Sequence, residues 1–351
     1  MSGGLDSRTQ AVALQERNND VYSYSYQYPN GFPETKIAKQ IAEVCGFKFQ
    51  AFKIPKGYLW SELDTLAKIN KCYSDFTSPR QMAIYNSFSK MGDVFSLGHW
   101  GDVLFDSFDL PDLTLEQETE IIINKLLKRG GLELANKLWT YWQLEGDFFN
   151  YFYNRVFSLL KDIEIENTNA KLRAFKSMYW APRWTSVNLS IFKSQKPITL
   201  PYYDNRMCEF ICTIPETYLN NRQLQIAYIK KKAPKLANIT WQDQRPFNLN
   251  NFNYNKTPFN IPYKVVDKLK RTVKSFSGNN YIQRNWELQF LGNDNQEKLK
   301  YQLMNTGLEN LIPKVLIDEY LHKFIHDNPL NNAHAINMLL VLSKFYQNKY
   351  E

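Results

Sequence analysis

Apolar residues follow two different periods along the first hundred positions of the chain. Some segments alternate apolar with polar residues, which is typical of strands, whereas others repeat apolar residues every three or four positions, which is typical of helices. Strands are predicted over residues 21–26, 47–54 and 93–98, and helices over residues 8–14, 34–45, 58–73 and 81–90. Because strands alternate with helices, we expect a parallel sheet that is covered on both faces.

The later part of the chain has a mostly helical pattern. Helical runs cover residues 115–129 and 132–161, and the end of the chain again shows helical spacing. A stretch rich in Asn and Pro at residues 246–263 predicts a loop. We therefore expect an α/β domain over residues 1–112, followed by a mostly helical region over residues 113–351.

Composition narrows the class of protein. The 351 residues suffice for two domains, and a hydrophobic content of 44% is that of a folded globular protein. The sequence has neither an apolar run of membrane-spanning length nor a secretory signal pattern, so we expect a cytoplasmic protein with no membrane partner. The net charge of +8 is concentrated at residues 230–235 and 268–274. Clusters of basic residues usually lie on solvent-exposed surfaces without a bound partner, so we do not expect nucleic acid as a partner.

The sequence S-G-G-L-D-S stands directly before the first predicted helix. The adjacent glycines Gly3 and Gly4 let backbone N–H groups approach an anion, and the helix directs the positive end of its dipole toward it. Ser2 and Ser7 add hydroxyl donors, and Asp6 adds a carboxylate oxygen of the kind that Mg²⁺ prefers. These residues indicate a phosphate site with a built-in metal ligand. The alternative is an ordinary helix N-terminus with an acid in its first turn.

A second acidic group follows the predicted strand that ends at Leu97. Gly98 permits close backbone approach at the strand end, and Asp102 lies where the next helix would begin. Asp102 is thus placed to share Mg²⁺ with Asp6. A solvated acid at a helix start is the alternative interpretation. A phosphate loop of this kind normally follows a strand, so we also expect a strand to precede Met1.

Together the two motifs resemble the synthetase domain of asparagine synthetases and the related β-lactam synthetases. In that family a pyrophosphate loop S-G-G-[LM]-D-S is followed by a strand ending in S-G-E-G-[SA]-D-E-L-F-G-G-Y, whose counterpart in this chain is residues 97–108. Weaker similarity extends to residues 200–204 and 239–247. The resemblance implies the parallel-sheet ATP pyrophosphatase fold, which is like that of the adenine nucleotide alpha hydrolases. It also implies an AMP-forming ligase that adenylates a carboxylate, releases pyrophosphate and forms an amide.

The resemblance assigns roles to individual residues. Asp6 and Asp102 would bind Mg²⁺, Leu97 and Gly98 would line the adenosine pocket, and the strand around Tyr24 would flank the adenine. The implied nucleotide-binding loop consists of Ser2, Gly3, Gly4, Asp6 and Ser7. The implied cofactors are ATP and Mg²⁺, and the default acyl substrate is aspartate.

Three positions depart from the family pattern. The family Glu of the G-E-G element is replaced by His99 in this chain. The Glu that follows the family Asp is replaced by Val103, and the Lys of the W-R-x-K segment aligns with Gln244. His99 can still act as a base, and Arg245 beside Gln244 can still stabilise an anion. Both are therefore candidate catalytic residues together with the two aspartates.

The nitrogen donor and two alternative functions stay open at this point. Family members that use glutamine carry a glutaminase domain, so we expect free ammonia, another amine, or a glutaminase domain or subunit outside this chain. One alternative function is a tRNA-modifying adenylase of the same superfamily, which the basic clusters favour. The other is a member that binds nucleotide without turnover, which the three departures favour.

Overall fold

The structure is a computed structural model that describes residues 1–29, 31–276 and 286–350, apart from the side chains of residues 270, 271, 274–276 and 350. The basic side chains of Lys270, Arg271 and Lys274, which the sequence singles out, therefore lie outside the described residues. The strands are β1 (Tyr22–Gln27), β2 (Lys48–Lys53), β3 (Phe95–Ser96) and β4 (Ile198–Thr199).

The helices of the first two hundred residues largely follow the predicted pattern. They are α1 (Leu5–Glu16), α2 (Glu34–Cys45), α3 (Tyr58–Asn70), α4 (Gly101–Leu104), α5 (Leu115–Leu126), α6 (Gly131–Tyr141), α7 (Phe148–Lys161), α8 (Thr168–Phe175) and α9 (Ser186–Lys193). The later helices are α10 (Asn205–Cys212), α11 (Glu216–Leu219), α12 (Gln223–Lys232), α13 (Pro234–Ala237), α14 (Ile261–Phe276), α15 (Asn293–Met304), α16 (Lys314–His322) and α17 (Pro329–Tyr350).

Parallel strand pairing is confirmed, but the sheets are smaller than predicted. β1 and β2 pair in parallel over their whole length, from Tyr22 opposite Lys48 to Gln27 opposite Lys53. β3 is only two residues long and pairs in parallel with β4, a strand that the sequence did not predict. Within the described residues the chain thus forms two separate two-stranded sheets rather than one extended sheet.

Three predicted elements take a different form in the structure. Arg80–Lys90 is 3-10 helix rather than α-helix, and Ile84 inside it has non-helical dihedral angles. The predicted helix over residues 132–161 is interrupted before α7, where the Asp147 side chain accepts a hydrogen bond from the amide of Asn150 at 2.9 Å and caps the new helix. The predicted loop over residues 246–263 ends earlier, because α14 begins at Ile261.

The chain divides into two compact units. The first comprises Met1–Pro55, Ile84–Phe108 and Gln195–Gln283, and the second comprises Lys56–Ala83, Asp109–Ser194 and Arg284–Glu351. Each unit is assembled from three separated segments, whereas the predicted domains over residues 1–112 and 113–351 are continuous. Those domain boundaries stay a prediction.

One apolar core of the first unit joins helices from both ends of its sequence. Leu5 and Val12 of α1 pack with Ile41 of α2, Ile229 of α12 and Leu236 of α13, all with about 1% exposure or less. This packing holds the start of α1 against the later segments of the unit. Separately, no helix in the described ranges is both long enough and apolar enough to cross a lipid bilayer.

Candidate nucleotide and metal site

The S-G-G-L-D-S segment forms a tight loop in front of α1. The amide of Ser2 donates to Ser7 Oγ at 3.2 Å, the Ser7 hydroxyl donates to the Ser2 carbonyl oxygen at 3.1 Å, and the amide of Gly4 donates to Ser2 Oγ at 3.3 Å. Gly4 is the N-cap residue, and no side chain caps the helix. The first N–H groups of α1, with the positive end of its dipole, are thus available to an anion.

Gly3 has no room for a side chain. A Cβ atom there would lie 2.7 Å from Ile37 Cγ2 and 3.0 Å from the Cβ atom of Gln242. The amide of Gly3 donates to Gln242 Oε1 at 2.8 Å, and the amide of Gln242 donates to the Gly3 carbonyl oxygen at 3.1 Å. The loop is therefore joined by hydrogen bonds to the segment around Gln242, whose resemblance to the family W-R-x-K element stays a prediction.

A buried arginine strengthens the same connection. Arg8 is fully buried in α1, and its guanidinium donates to the carbonyl oxygens of Gly3 (3.1 Å), Leu236 (3.2 Å), Ile239 (3.0 Å) and Thr240 (2.8 Å). Burial lowers the pKa of Arg8 to about 10, so the group is still charged at neutral pH. Sequence reasoning missed this residue, since its partners in the later segments lie more than 200 positions away.

The two predicted acidic motifs meet at Asp6. A Cβ atom on Gly101, the first residue of α4, would overlap the Asp6 carboxylate and lie 2.8 Å from its Cγ atom. A Cβ atom on Gly98 would lie 3.5 Å from Asp6 Cβ. Asp102 follows in the first turn of α4, and its negative charge raises the pKa of Asp6. The structure thus brings Asp6 together with the segment that carries Asp102.

Arg222 is the immediate counter-charge of Asp6. Its guanidinium forms an ion pair with Asp6 Oδ1, which also accepts from Gln225 Nε2 at 3.3 Å. Burial raises the pKa of Asp6 to about 6, while Arg222 acts in the opposite direction. Both side chains are largely shielded, with 14% of Arg222 and 24% of Asp6 exposed.

Sequence reasoning also missed Arg222. Asn221 and Arg222 adopt positive φ angles of 52° and 60° directly before α12, an uncommon backbone conformation for residues other than glycine. The run Asn220-Asn221 is a turn signal that precedes a helix, but nothing in it identifies Asp6 as the partner. The hydroxyl of Tyr202 donates to the Asp6 carbonyl oxygen at 2.8 Å.

His99 lies between the end of β3 and the start of α4. Burial lowers its pKa, and the negative charge of Asp102 partly opposes that shift. A lowered pKa keeps the imidazole neutral at neutral pH, and a neutral imidazole can accept a proton. The next residue, Trp100, has a φ angle of 78° and caps α4.

The predicted adenosine-binding residues belong to the strands of the first unit and the turns that follow them. Leu97 is 9% exposed and its amide donates to the Thr199 carbonyl oxygen at 3.0 Å, which continues the pairing of β3 with β4. Tyr24 packs its ring against Phe52 and Phe88, with ring centroids 6.3 Å and 6.0 Å away. The contact of these residues with adenosine stays a prediction.

Arg245 faces an aromatic ring. Its guanidinium carbon lies 3.4 Å from the centroid of the Phe32 ring, a cation–π contact. Its neighbour Gln244 accepts a hydrogen bond from Asn255 Nδ2 at 2.6 Å through its side-chain oxygen. The structure thus orients Arg245 toward the segment before α2, and its catalytic role stays a prediction.

The donor chemistry of Asp6 and Asp102 fits Mg²⁺ bound together with a nucleotide. Mg²⁺ is commonly held by one or two carboxylates plus substrate phosphates, with water completing the octahedron. Among the described residues, no group of three or more His, Cys, Asp or Glu side chains is arranged to hold a metal ion. Two aspartates are a donor set that suits a metal arriving with its phosphates, and this role of Asp6 and Asp102 stays a prediction.

Comparison with known proteins agrees with this geometry. The family model described as asparagine synthase matches residues 1–192. The match includes the loop before α1, the strand pair β1–β2 and the segment that carries His99 and Asp102. A search of curated proteins gave no significant match.

Proposed function

Because the chain belongs to the asparagine synthase family, we propose that it adenylates a small carboxylic acid with ATP, releases pyrophosphate and transfers the acyl group to an amine. Membership of the family supports an ATP-dependent ligase that forms an amide. The observation that best supports the finer proposal is the contact between Asp6 and the backbone at Gly101. It supports a shared role for Asp6 and for Asp102, which follows Gly101 in the first turn of α4, close to the start of α1, which has no side-chain cap.

The loop residues would bind the phosphates. The N–H groups at the start of α1, with the hydroxyls of Ser2 and Ser7, present donors to the β- and γ-phosphates. Asp6 and Asp102 would hold Mg²⁺, which supplies charge neutralisation for the departing pyrophosphate. The reciprocal hydrogen bonds of Gly3 with Gln242 keep the loop rigid, as electrostatic stabilisation requires.

Arg222 gives the site a second source of positive charge. Its guanidinium forms an ion pair with Asp6. Were Asp6 to bind a metal ion, that guanidinium would become available to the oxygens of the leaving pyrophosphate. Arg222 would thus compensate the charge of the Asp6 carboxylate before the nucleotide binds and the charge of the pyrophosphate during the reaction.

The acyl transfer would use His99. The carboxylate oxygen of the substrate attacks the α-phosphorus, and pyrophosphate leaves. The amine nitrogen then attacks the acyl carbon, the bond to AMP breaks, and His99 accepts the proton that the nitrogen loses. Arg245 would stabilise negative charge at the acyl centre. Aspartate is the default acid, and the amine is ammonia or a compound delivered by a glutaminase domain or subunit.

The test is ATP–pyrophosphate exchange across a panel of small carboxylic acids that includes aspartate. We expect acid-dependent exchange by the wild type and its loss in Asp6→Asn. The control is Asp318→Asn, an exposed position on α16, which should exchange like the wild type. Nucleotide binding without exchange for any acid would instead support the member without turnover. If the Asp6→Asn variant catalyses ATP–pyrophosphate exchange as fast as the wild type, the assignment is wrong.

A further inference from the structure

Helix α14 carries a continuous apolar face that is exposed. Ile261, Val265, Leu269 and Val273 follow one another at four-residue intervals, so they lie along one face of the helix, with Val266 beside them. The exposed fraction reaches 60% for Leu269 and 69% for Val273. A helix on the surface of a globular protein ordinarily turns such a face toward the core. An exposed apolar stripe of this length instead indicates an interaction surface.

The remainder of the helix is strongly basic. Lys264 and Lys268 are exposed and flank the apolar face. The whole helical segment contains five Lys or Arg residues against one acidic residue, Asp267. The structure describes only the backbone of three of these five residues, at positions 270, 271 and 274. Their positions around the helix follow from that backbone. Charge of one sign on the polar side predicts an anionic partner.

Exposed aromatic rings precede the helix. Tyr254 and Phe259 are 52% and 57% exposed and contact each other edge to face, with centroids 5.3 Å apart. Aromatic side chains are favoured where one end of a ring meets an apolar phase and the other meets water. They stand directly before α14 in the sequence and add exposed aromatic surface to this part of the chain.

We propose that α14 binds the surface of an anionic lipid bilayer and lies in the plane of the headgroups. At 1.5 Å per residue the helix is about 24 Å long, which suits a surface helix with aliphatic side chains among the acyl chains and lysines among the phosphates. A second copy of this chain is a poorer occupant, because two such helices face to face would oppose the same cationic residues. The sequence alone predicted no membrane partner, since only the structure shows that the apolar face is exposed.

The proposal is tested by flotation of the full chain with two kinds of vesicle, phosphatidylglycerol mixed with phosphatidylcholine and phosphatidylcholine alone. We expect the wild type to float with the anionic vesicles and at least tenfold less with the neutral ones or in high salt. The double variant Leu269→Asp/Val273→Asp should lose at least tenfold of this binding. Its control is Val315→Asp on α16, an apolar position that is 79% exposed.

The contribution of charge is tested with a second pair of variants. Lys264→Glu/Lys268→Glu should lose binding, whereas Lys298→Glu/Lys300→Glu, at exposed positions on α15, should bind like the wild type. Absence of wild-type flotation, equal flotation with both vesicles, or equal losses in the control variants would overturn the proposal. A wild-type dimer that Leu269→Asp converts to a monomer in light scattering would also overturn it, because the face would then be a protein interface. None of these readouts depends on the ligase activity.

Discussion

Gly3 and Gln242 are joined by two hydrogen bonds although 239 positions separate them in the sequence. The amide of Gly3 donates to Gln242 Oε1, and the amide of Gln242 donates to the carbonyl oxygen of Gly3. One residue of the loop before α1 is therefore held directly by the segment around Gln242. This connection means that a disturbance at Gly3 reaches both halves of the site.

A methyl group at Gly3 is expected to disrupt nucleotide binding. In Gly3→Ala the Cβ atom would lie 2.7 Å from Ile37 Cγ2 and 3.0 Å from the Cβ atom of Gln242, so the loop or these side chains must shift. Such overpacking typically costs about 1–3 kcal/mol of stability. We expect ATP affinity, measured by calorimetric titration, to fall at least tenfold.

The matched control for this change is Gly131→Ala. A Cβ atom at Gly131 would meet no atom within 4 Å, and the residue begins α6, where alanine is well tolerated. Unchanged ATP affinity in Gly3→Ala would show that the position of the loop does not matter for binding.

The titration of Asp6 should appear in the pH dependence of stability. Its pKa in the folded protein is about 6, above the ordinary value of 3.8, chiefly because the carboxyl is buried. Between pH 3.8 and about pH 6 the folded state thus keeps a proton on Asp6 that the unfolded chain has released. Its contribution to the free energy of unfolding is full below pH 3.8 and is lost as the pH rises through 6.

Urea denaturation without nucleotide or Mg²⁺ measures this contribution. Between about pH 4 and about pH 7 the wild type should lose up to about 3 kcal/mol relative to Asp6→Asn, which cannot titrate at this position. The Asp318→Asn control should follow the wild type. Parallel pH profiles for the wild type and Asp6→Asn would show that the pKa of Asp6 is not raised.

His99 should act after adenylation. In His99→Gln the proton acceptor is lost while the loop and both aspartates are kept, so ATP–pyrophosphate exchange should persist. Formation of the amide from the same acid should fall by about 10²–10⁴-fold, the usual contribution of a general base. The control is His326→Gln, at an exposed position far along the chain. Equal losses in exchange and amide formation would instead assign His99 to nucleotide binding or folding.

Local sequence signals predicted the local structure well. Apolar spacing predicted a helix over residues 34–45, and α2 spans Glu34–Cys45, followed by Gly46 at a φ angle of 71°. The parallel pairing of β1 with β2 followed from the helix between them. The extent of the sheet was not predictable in this way, because β3 is only two residues long and its partner β4 has no distinct strand pattern.

The site was predictable only where its residues form a local motif. The sequence identified Asp6 and Asp102 from the residues around each, and the structure places Asp6 against Gly101. It did not identify Arg8 or Arg222, whose importance lies in partners more than 200 residues distant. Contacts of that separation depend on the packing of α1 with α12 and α13, which no local pattern encodes.

The central claim is that Asp6 and Asp102 bind one metal ion together with the nucleotide. The most direct measurement is calorimetric titration with α,β-methylene-ATP, with and without Mg²⁺, of the wild type, Asp6→Asn, Asp102→Asn and the double variant. We expect Mg²⁺-dependent binding, a loss of at least tenfold in each single variant, and little further loss in the double variant, because the carboxylates share one ion. Binding that ignores Mg²⁺, or that survives both substitutions, would contradict the account.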